Sequence, residues 1–334
     1  MKIAVIGSGA IGGLVAGYLK LKGEDVTLIG RLGSVRAIND FGLNISGVRG
    51  NFTVLLNCEE KLSVQPDLLI VATKTQDLGA ALEDNAGYIE DSIVLTTQNG
   101  VAADEIAAKF VKKEKIVSSI VMFGSTNLEP GKIIHNFEGD WIIGSAFSSG
   151  KHDLALLSKV LSKAFPVVRA GNIRGMKYLK LFVNANNCIS AILGVSMQEA
   201  FSDVEISRIS INIWQEGLEI IKKAGIELVS LPDFPLERLT KLAQMPSGEA
   251  AKVYSGIIGG LSKEPLYGSI LQSIKRGKLS EIDYINGEFV KIARFYRIKA
   301  PLNEKLVEMV HQVEKTGQFF SKEQLIESTK QLLN

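Results

Sequence analysis

Cysteine is the scarcest reactive residue in this chain: Cys58 and Cys188 are the only two among 334 residues. They lie far apart and form no C-x-x-C pair or Cys/His ligand spacing, which excludes a disulfide framework, a zinc motif and a dithiol redox centre. A reducing, cytoplasmic setting is expected, and no metal site. Histidine is nearly as rare. His135, His152 and His311 stand apart from carboxylates and cysteines in any recognisable catalytic arrangement and read as strand or surface residues. An excess of one charge is also missing, since 38 Lys and Arg face 36 Asp and Glu for a net charge of +2. Nothing in that balance points to nucleic acid as a partner. No apolar run is long enough to span a bilayer, and the N-terminus lacks the layout of a signal peptide. Repeats of fixed period and low-complexity segments are absent too.

A hydrophobic fraction of 46% with 22% charged residues is ordinary for a globular enzyme, and the length suits two domains. The first thirty-one residues are the most informative. Met1–Ile6 is a short apolar run with β-branched residues, which predicts a buried strand. It leads into Gly7-Ser8-Gly9-Ala10-Ile11-Gly12, a G-x-G-x-x-G, then a helical pattern over Leu14–Leu21, then a second strand over Asp25–Ile29. In that context the motif predicts dinucleotide binding. Gly7 permits the tight turn, Gly9 the approach of backbone N–H groups to a pyrophosphate, and Gly12 the packing of helix on strand. The helix dipole then favours the phosphates. After the second strand, where an acid would hydrogen-bond a ribose 2′-OH, stand Gly30 and Arg31, with Arg36 further on. A guanidinium suits a 2′-phosphate, so NADP(H) is favoured over NAD(H); the alternative is Arg31 as a solvated surface charge.

Further along, a short helix is expected around 34–40, with strands over 43–46, 51–56, 66–72 and 92–96. The last two are apolar on consecutive residues, as parallel strands covered on both faces are. They deliver Thr73-Lys74-Thr75-Gln76 and Thr97-Gln98-Asn99-Gly100. Ligands in open α/β sheets bind outside the carboxyl ends of strands, so Lys74 and Asn99 belong beside the cofactor. Helices over 102–110 and 153–165 and strands over 115–123, 132–137, 141–143 and 166–169 complete a Rossmann-type domain over 1–170. From residue 171 to 334 the periodicity is helical, and an all-α substrate domain is expected. Its helices are placed at 174–193, 203–224, 235–244, 268–275, 283–297, 302–316 and 321–332. Between them the Pro/Gly-rich stretch 245–268 reads as a mobile or ligand-covering segment with a short helix at 249–254.

Two constellations in the second half could carry chemistry. On the first helix Lys180, Asn184 and Asn187 or Cys188 fall at helical spacing. A polar stripe among Leu, Phe and Val suits a polar ligand; the alternative is a solvated face, with Lys177 its natural surface charge. A partly desolvated lysine could donate a proton to, and stabilise, the alkoxide formed when a ketone is reduced. Cys188 reads as a buried thiol rather than a nucleophile. The second constellation is Leu279–Gly287, where Ser280 and Asp283 form an imperfect capping arrangement and Glu281 suits a helix N-terminus.

Taken together these residues resemble the ketopantoate reductase (2-dehydropantoate 2-reductase) family over nearly the whole chain. The likeness rests on the G-x-G-x-x-G, Arg31, Lys74, Gln98-Asn99-Gly100, Gly131–Asn136, Asn172-Ile173-Arg174, Lys180-x-x-x-Asn184 and, most specifically, Glu281–Gly287. The resemblance implies NADPH-dependent reduction of 2-dehydropantoate to pantoate, toward pantothenate and coenzyme A. It implies Lys180 as general acid and Glu281 as the residue that engages substrate and orients the lysine. Asn99, Asn184, Asn187 and Ser269 would contact substrate, with Asn99 also against the nicotinamide. Gly7 to Gly12, Arg31 and Lys74 would hold NADPH or NADP+. This chain departs from the family pattern at Cys188, where a second substrate asparagine is common, and at Met197-Gln198, where many relatives have Asn-Gly. Those departures bear on which 2-keto acid fits. The alternatives are a reductase of another branched 2-keto acid and a non-catalytic NADP(H)-sensing protein; the helical domain could also provide a homodimer surface.

Overall fold

A computed structural model describes residues 1–150, 153–262 and 264–333; His152 therefore lies outside the described residues. The chain divides into two compact units, Met1–Arg174 and Gly175–Asn334.

The first unit opens with β1 (Lys2–Ile6), α1 (Ala10–Leu21), β2 (Asp25–Ile29) and α2 (Leu32–Phe41). Three short strands follow, β3 (Leu43–Gly47), β4 (Phe52–Val54) and β5 (Asn57–Glu59). Alternation resumes with β6 (Leu68–Val71), α3 (Thr75–Glu83), β7 (Ile93–Thr96), α4 (Ala103–Ala107) and β8 (Ile116–Val121). The hairpin β9 (Gly124–Glu129) and β10 (Lys132–Phe137) precedes β11 (Trp141–Ser145), α5 (Leu154–Leu161) and β12 (Val167–Arg169).

Eight strands form one sheet in the order β12-β11-β8-β7-β6-β1-β2-β5, parallel throughout except that β11 runs antiparallel to β8. The consecutive apolar residues of β1 have a simple cause. Ile3 and Val5 enter a core with Leu14, Leu28 and Ile70 on one face, while Ala4 and Ile6 join Leu69, Val71 and Leu78 on the other. A strand buried on both faces has no polar side to show.

A second sheet, β4-β3-β10-β9, explains why α1 is apolar almost all round. That helix packs on β2 with one side and on β3, β9 and β10 with the other. The approach is close: a Cβ on Gly17 would lie 2.4 Å from Ile45 Cδ1. The expected strand over 51–56 shortens to Phe52–Val54, which pairs with β3, and a further strand that was not expected, Asn57–Glu59, extends the large sheet beside β2. Strand β9 (GSTNLE) carries no apolar alternation and was not expected; its order comes from pairing with β10.

The second unit is helical, as its periodicity predicts: α6 (Ile173–Ala185, beginning just before the unit boundary), α7 (Asn187–Leu193), α8 (Met197–Phe201), α9 (Val204–Lys223) and α10 (Leu236–Gln244). The chain continues with α11 (Ser247–Gly259), α12 (Ser269–Lys275), α13 (Asn286–Phe295), α14 (Pro301–Thr316) and α15 (Lys322–Thr329). Three expectations need correction. The single helix over 174–193 breaks at Asn186, whose carbonyl accepts from Ile189 in a tight turn while its buried amide donates to the Tyr254 hydroxyl at 2.9 Å. The short helix expected at 249–254 is the thirteen-residue α11, which buries Ala250, Ala251, Tyr254 and Ile258. The helix placed at 283–297 starts later, behind a 3-10 turn at Ile282–Tyr284.

Candidate functional site

In the first unit the sequence-predicted cofactor residues converge at the carboxyl ends of β1, β2, β6 and β7. Strand β1 lies between β2 and β6, the point where the strand order reverses and open sheets bind ligands. Gly7, at φ +111°, could not carry a side chain, since a Cβ there would lie 2.7 Å from the Ala72 carbonyl carbon. At Gly12 a Cβ would lie 1.9 Å from the Gly7 carbonyl oxygen. Gly9 is the opposite case, with nothing within 4 Å of its Cβ position. Gly7 and Gly12 thus serve packing, whereas Gly9 faces open space. Ser8 packs against Gly30 at the end of β2, and Ala10 and Ile11 form the first turn of α1. That turn has no side-chain cap and no acidic residue, so its N–H groups and positive dipole end suit an anion.

Around this loop the strand ends are tied together. Gln98 is buried and donates its amide to the carbonyls of Val71 and Thr73, at 2.9 and 3.0 Å. This fixes the end of β7 to that of β6, and so sets the placement of Asn99 and Lys74, both half-buried. Lys74 precedes the first turn of α3 and Arg31 that of α2. The Arg31 side chain is 83% exposed, with its guanidinium 3.6 Å from Asp77. A contact this exposed is weak and leaves the guanidinium able to meet an anionic ligand. Asp77 was not singled out from the sequence, because only the fold sets α3 beside β2.

The second unit holds Lys180, Asn184, Asn187, Ser269 and Glu281. Lys180 keeps a partly accessible side chain, yet protein surrounds it densely enough that burial pulls its pKa down from 10.5 to about 8. The neighbouring Lys177 charge lowers it further, and Glu281 opposes the shift. Lys177 is only 3% exposed, not the surface charge its sequence position suggested. Three residues before Lys180, it shares that helix face. Glu281 is a buried carboxylate at 4% exposure, within electrostatic reach of the lysine. Asn184 stands one turn after Lys180 and is half-buried. Asn187, across the break, packs against Gly268, where a Cβ would lie 2.9 Å from its Cγ, and so lies beside Ser269 at the start of α12.

Both departures from the family pattern receive structural work. Cys188 is fully buried beside Asn286, and burial lifts its thiol to about 12. It is inert as a nucleophile. Gln198 donates to the carbonyls of Ser262 and Glu264, at 3.3 and 2.9 Å, and accepts from the Leu266 N–H at 2.9 Å. Its side chain thus holds part of the irregular stretch that leads to Ser269.

The histidine reading holds in part: His135 is a strand residue and His311 an exposed one, but His311 does not stand apart from carboxylates. His311 lies between two carboxylates, Glu314 and Asp283, each at 3.0 Å. Their helix and turn are brought together only by folding. His135 is buried, with Nδ1 3.0 Å from the Tyr18 hydroxyl, and burial lowers its pKa. Among the described residues, no group of three or more His, Cys, Asp or Glu could hold a metal ion, and no helix is long and apolar enough to cross a membrane. A cavity of about 730 Å³ in the second unit, bordered by Glu216, Tyr296 and Arg297, includes none of the predicted site residues.

Two family models match this sequence: ketopantoate reductase PanE/ApbA over residues 3–147, and ketopantoate reductase PanE/ApbA C terminal over residues 172–314. The 2-dehydropantoate 2-reductase of Pyrococcus horikoshii is 32% identical over 329 residues, covering 95% of this chain and 99% of that protein. This chain belongs to the ketopantoate reductase family. The similarity extends to the 2-dehydropantoate 2-reductase of Archaeoglobus fulgidus, 25% identical over 94% of this chain and 98% of that protein. Among solved structures, a ketopantoate reductase from Ralstonia eutropha JMP134 superposes with a TM-score of 0.80 at 25% identity, covering 94% of this chain and 99% of that one. The ternary structure of a D-mandelate dehydrogenase with NADH and anilino(oxo)acetate gives 0.82 at 27% identity, covering 95% and 99%. The ketopantoate reductase architecture thus also serves a dehydrogenase solved with NADH.

Proposed function

We propose that this chain catalyses NADPH-dependent reduction of 2-dehydropantoate to pantoate, the step its family performs toward pantothenate and coenzyme A. The observation that carries the chemistry is Lys180, brought to about 8 by burial beside the buried carboxylate of Glu281. A lysine so tuned is mostly protonated at neutral pH, yet close enough to it to give up its proton readily.

The glycine loop fits a dinucleotide: the space over Gly9 and the uncapped turn of α1 would receive the pyrophosphate, with Ser8, Ala10 and Ile11 around it. Arg31 and Lys74 would bind the adenosine 2′-phosphate, and Asn99 would orient the nicotinamide and the substrate. When bound, NADPH supplies a hydride to the substrate's carbonyl carbon. Lys180 hydrogen-bonds the carbonyl oxygen, stabilises the negative charge that grows there and delivers the proton that completes the alcohol. Glu281 holds the ammonium toward that oxygen and accepts a hydrogen bond from a substrate hydroxyl. Asn184, Asn187 and Ser269 hold the substrate's polar groups. The partner is therefore a small 2-keto acid.

Following nicotinamide absorbance with purified protein, NADPH and 2-dehydropantoate tests this directly. Folded protein that binds NADPH but oxidises none above background would remove the assignment. A second reading draws on the likeness to D-mandelate dehydrogenase and on Cys188 and Met197-Gln198: reduction of a different 2-keto acid. A panel with phenylglyoxylate and branched 2-keto acids, each with NADPH and NADH, separates the two. Lys180→Ala decides between an enzyme and a nucleotide sensor. An enzyme loses turnover by roughly 10²–10⁴-fold while keeping its NADPH affinity.

A further inference from the structure

Glu281 sits in a short stretch with little regular structure of its own. The 3-10 turn beside it contributes a bond from the Tyr284 N–H to the Glu281 carbonyl at 3.0 Å, and the Ser280 hydroxyl accepts from Ile282 at 3.3 Å. A single 3-10 turn contributes few backbone bonds. Helix α14 adds bonds on both sides of Glu281. On the near side, Glu314 Oε1 accepts the Ser280 backbone N–H at 2.7 Å, from a side chain 5% exposed. On the far side, His311 Nε2 meets Asp283 Oδ1 at 3.0 Å, while its Nδ1 meets Glu314 Oε2 at 3.0 Å.

The frame that bears these groups is itself fixed. Pro301 opens α14 and Gly317, at φ +69°, ends it. Glu216 of α9 accepts the backbone N–H groups of Leu302 and Asn303, at 3.0 and 2.9 Å, and the Asn303 amide at 2.8 Å. Those bonds satisfy donors that a helix start leaves unpaired.

We propose that Glu314 and His311 are positioning residues for the reaction: by clamping Ser280 and Asp283 to α14 they hold the Glu281 carboxylate in the orientation that serves Lys180 and the substrate. This rests on the role given to Glu281 above. One oxygen of the buried Glu314 carboxylate takes the Ser280 N–H and the other meets His311, which in turn meets Asp283, so α14 is tied to both ends of the turn; displacing a catalytic group by about 1 Å can cost ~10²-fold in rate.

The test is a double-mutant cycle on Glu281→Gln, Glu314→Ala and His311→Ala, reading kcat and KM for 2-dehydropantoate, NADPH Kd and circular dichroism. Glu314→Ala is expected to lower kcat/KM by about ten- to a hundredfold and His311→Ala by a smaller factor, with NADPH Kd unchanged. In the Glu281→Gln background neither should cause further loss, because residues acting through one partner are not additive. Glu314→Gln, whose amide oxygen still accepts from Ser280, should recover most of the activity. Wild-type kcat/KM in Glu314→Ala, or the same fractional loss with and without Glu281, overturns the proposal. If Glu314→Ala does not fold, the exposed His311 decides by the same cycle. An unchanged kcat/KM in Glu281→Gln alone removes the role of Glu281, and the clamp falls with it, an outcome separate from additive losses.

Discussion

Replacing Lys177 by Met keeps the volume of a buried side chain and removes one charge from the neighbourhood of Lys180. Side chains three apart on a helix have Cβ atoms about 5–6 Å apart. At an effective dielectric near 20, two unit charges about 6 Å apart repel by roughly 3 kcal/mol. Splayed ammonium groups and the accessible side of Lys180 reduce that by a factor of two or three. With 1.36 kcal/mol per pKa unit, the lysine should rise by about one. Burial, the larger cause of the shift, remains, so Lys180 stays below 10.5. The sign follows from its role: a proton donor fails as pH rises through its pKa, so the alkaline limb of kcat in the variant should move upward by about one pH unit. The assay is kcat from pH 6 to 10 with NADPH and 2-dehydropantoate saturating. An alkaline limb that coincides with wild type, or falls below it, refutes either the coupling of the two lysines or the role of Lys180 as donor.

Gly12→Ala places a Cβ 1.9 Å from the Gly7 carbonyl oxygen. It should destabilise the first unit by ~1–3 kcal/mol or more and weaken NADPH binding, read by thermal melting and fluorescence titration. Arg31→Glu replaces an exposed guanidinium with a charge that repels a 2′-phosphate. KM for NADPH should rise by roughly ten- to a hundredfold while KM for NADH and the melting temperature stay nearly constant; equal effects on both nucleotides would sink the 2′-phosphate role. Cys188, lifted to about 12 by burial, should resist a thiol reagent at pH 8 in the native protein and react once denatured. Labelling of this residue in the folded enzyme at the rate of an exposed cysteine would contradict its burial.

What could be read in advance separates by range. The β1–α1–β2 unit was legible because each of its signals acts within about thirty residues: an apolar strand, three glycines at fixed spacing, a periodic helix. The positions of Lys74 and Asn99 just past β6 and β7 were legible because those strands are apolar on consecutive residues. By contrast, β3 pairs in parallel with β10 nearly ninety positions away, and nothing local announces it. Likewise, the break at Asn186 depends on Tyr254, and the usefulness of Gln198 on the backbone of a loop more than sixty residues later.

The same boundary runs through the chemistry. Residue types and local spacing were enough to point to the glycine loop, to Arg31 and to the Lys180–Asn184 helix face. Only tertiary structure buried Lys177, set Glu281 within reach of Lys180, and brought Glu314 and His311 against the Glu281 turn. The physical reason is that hydrogen-bonding pattern and glycine sterics act between near neighbours in sequence. Desolvation and Coulomb interaction instead depend on what surrounds a group in space, and that is settled only when distant segments pack.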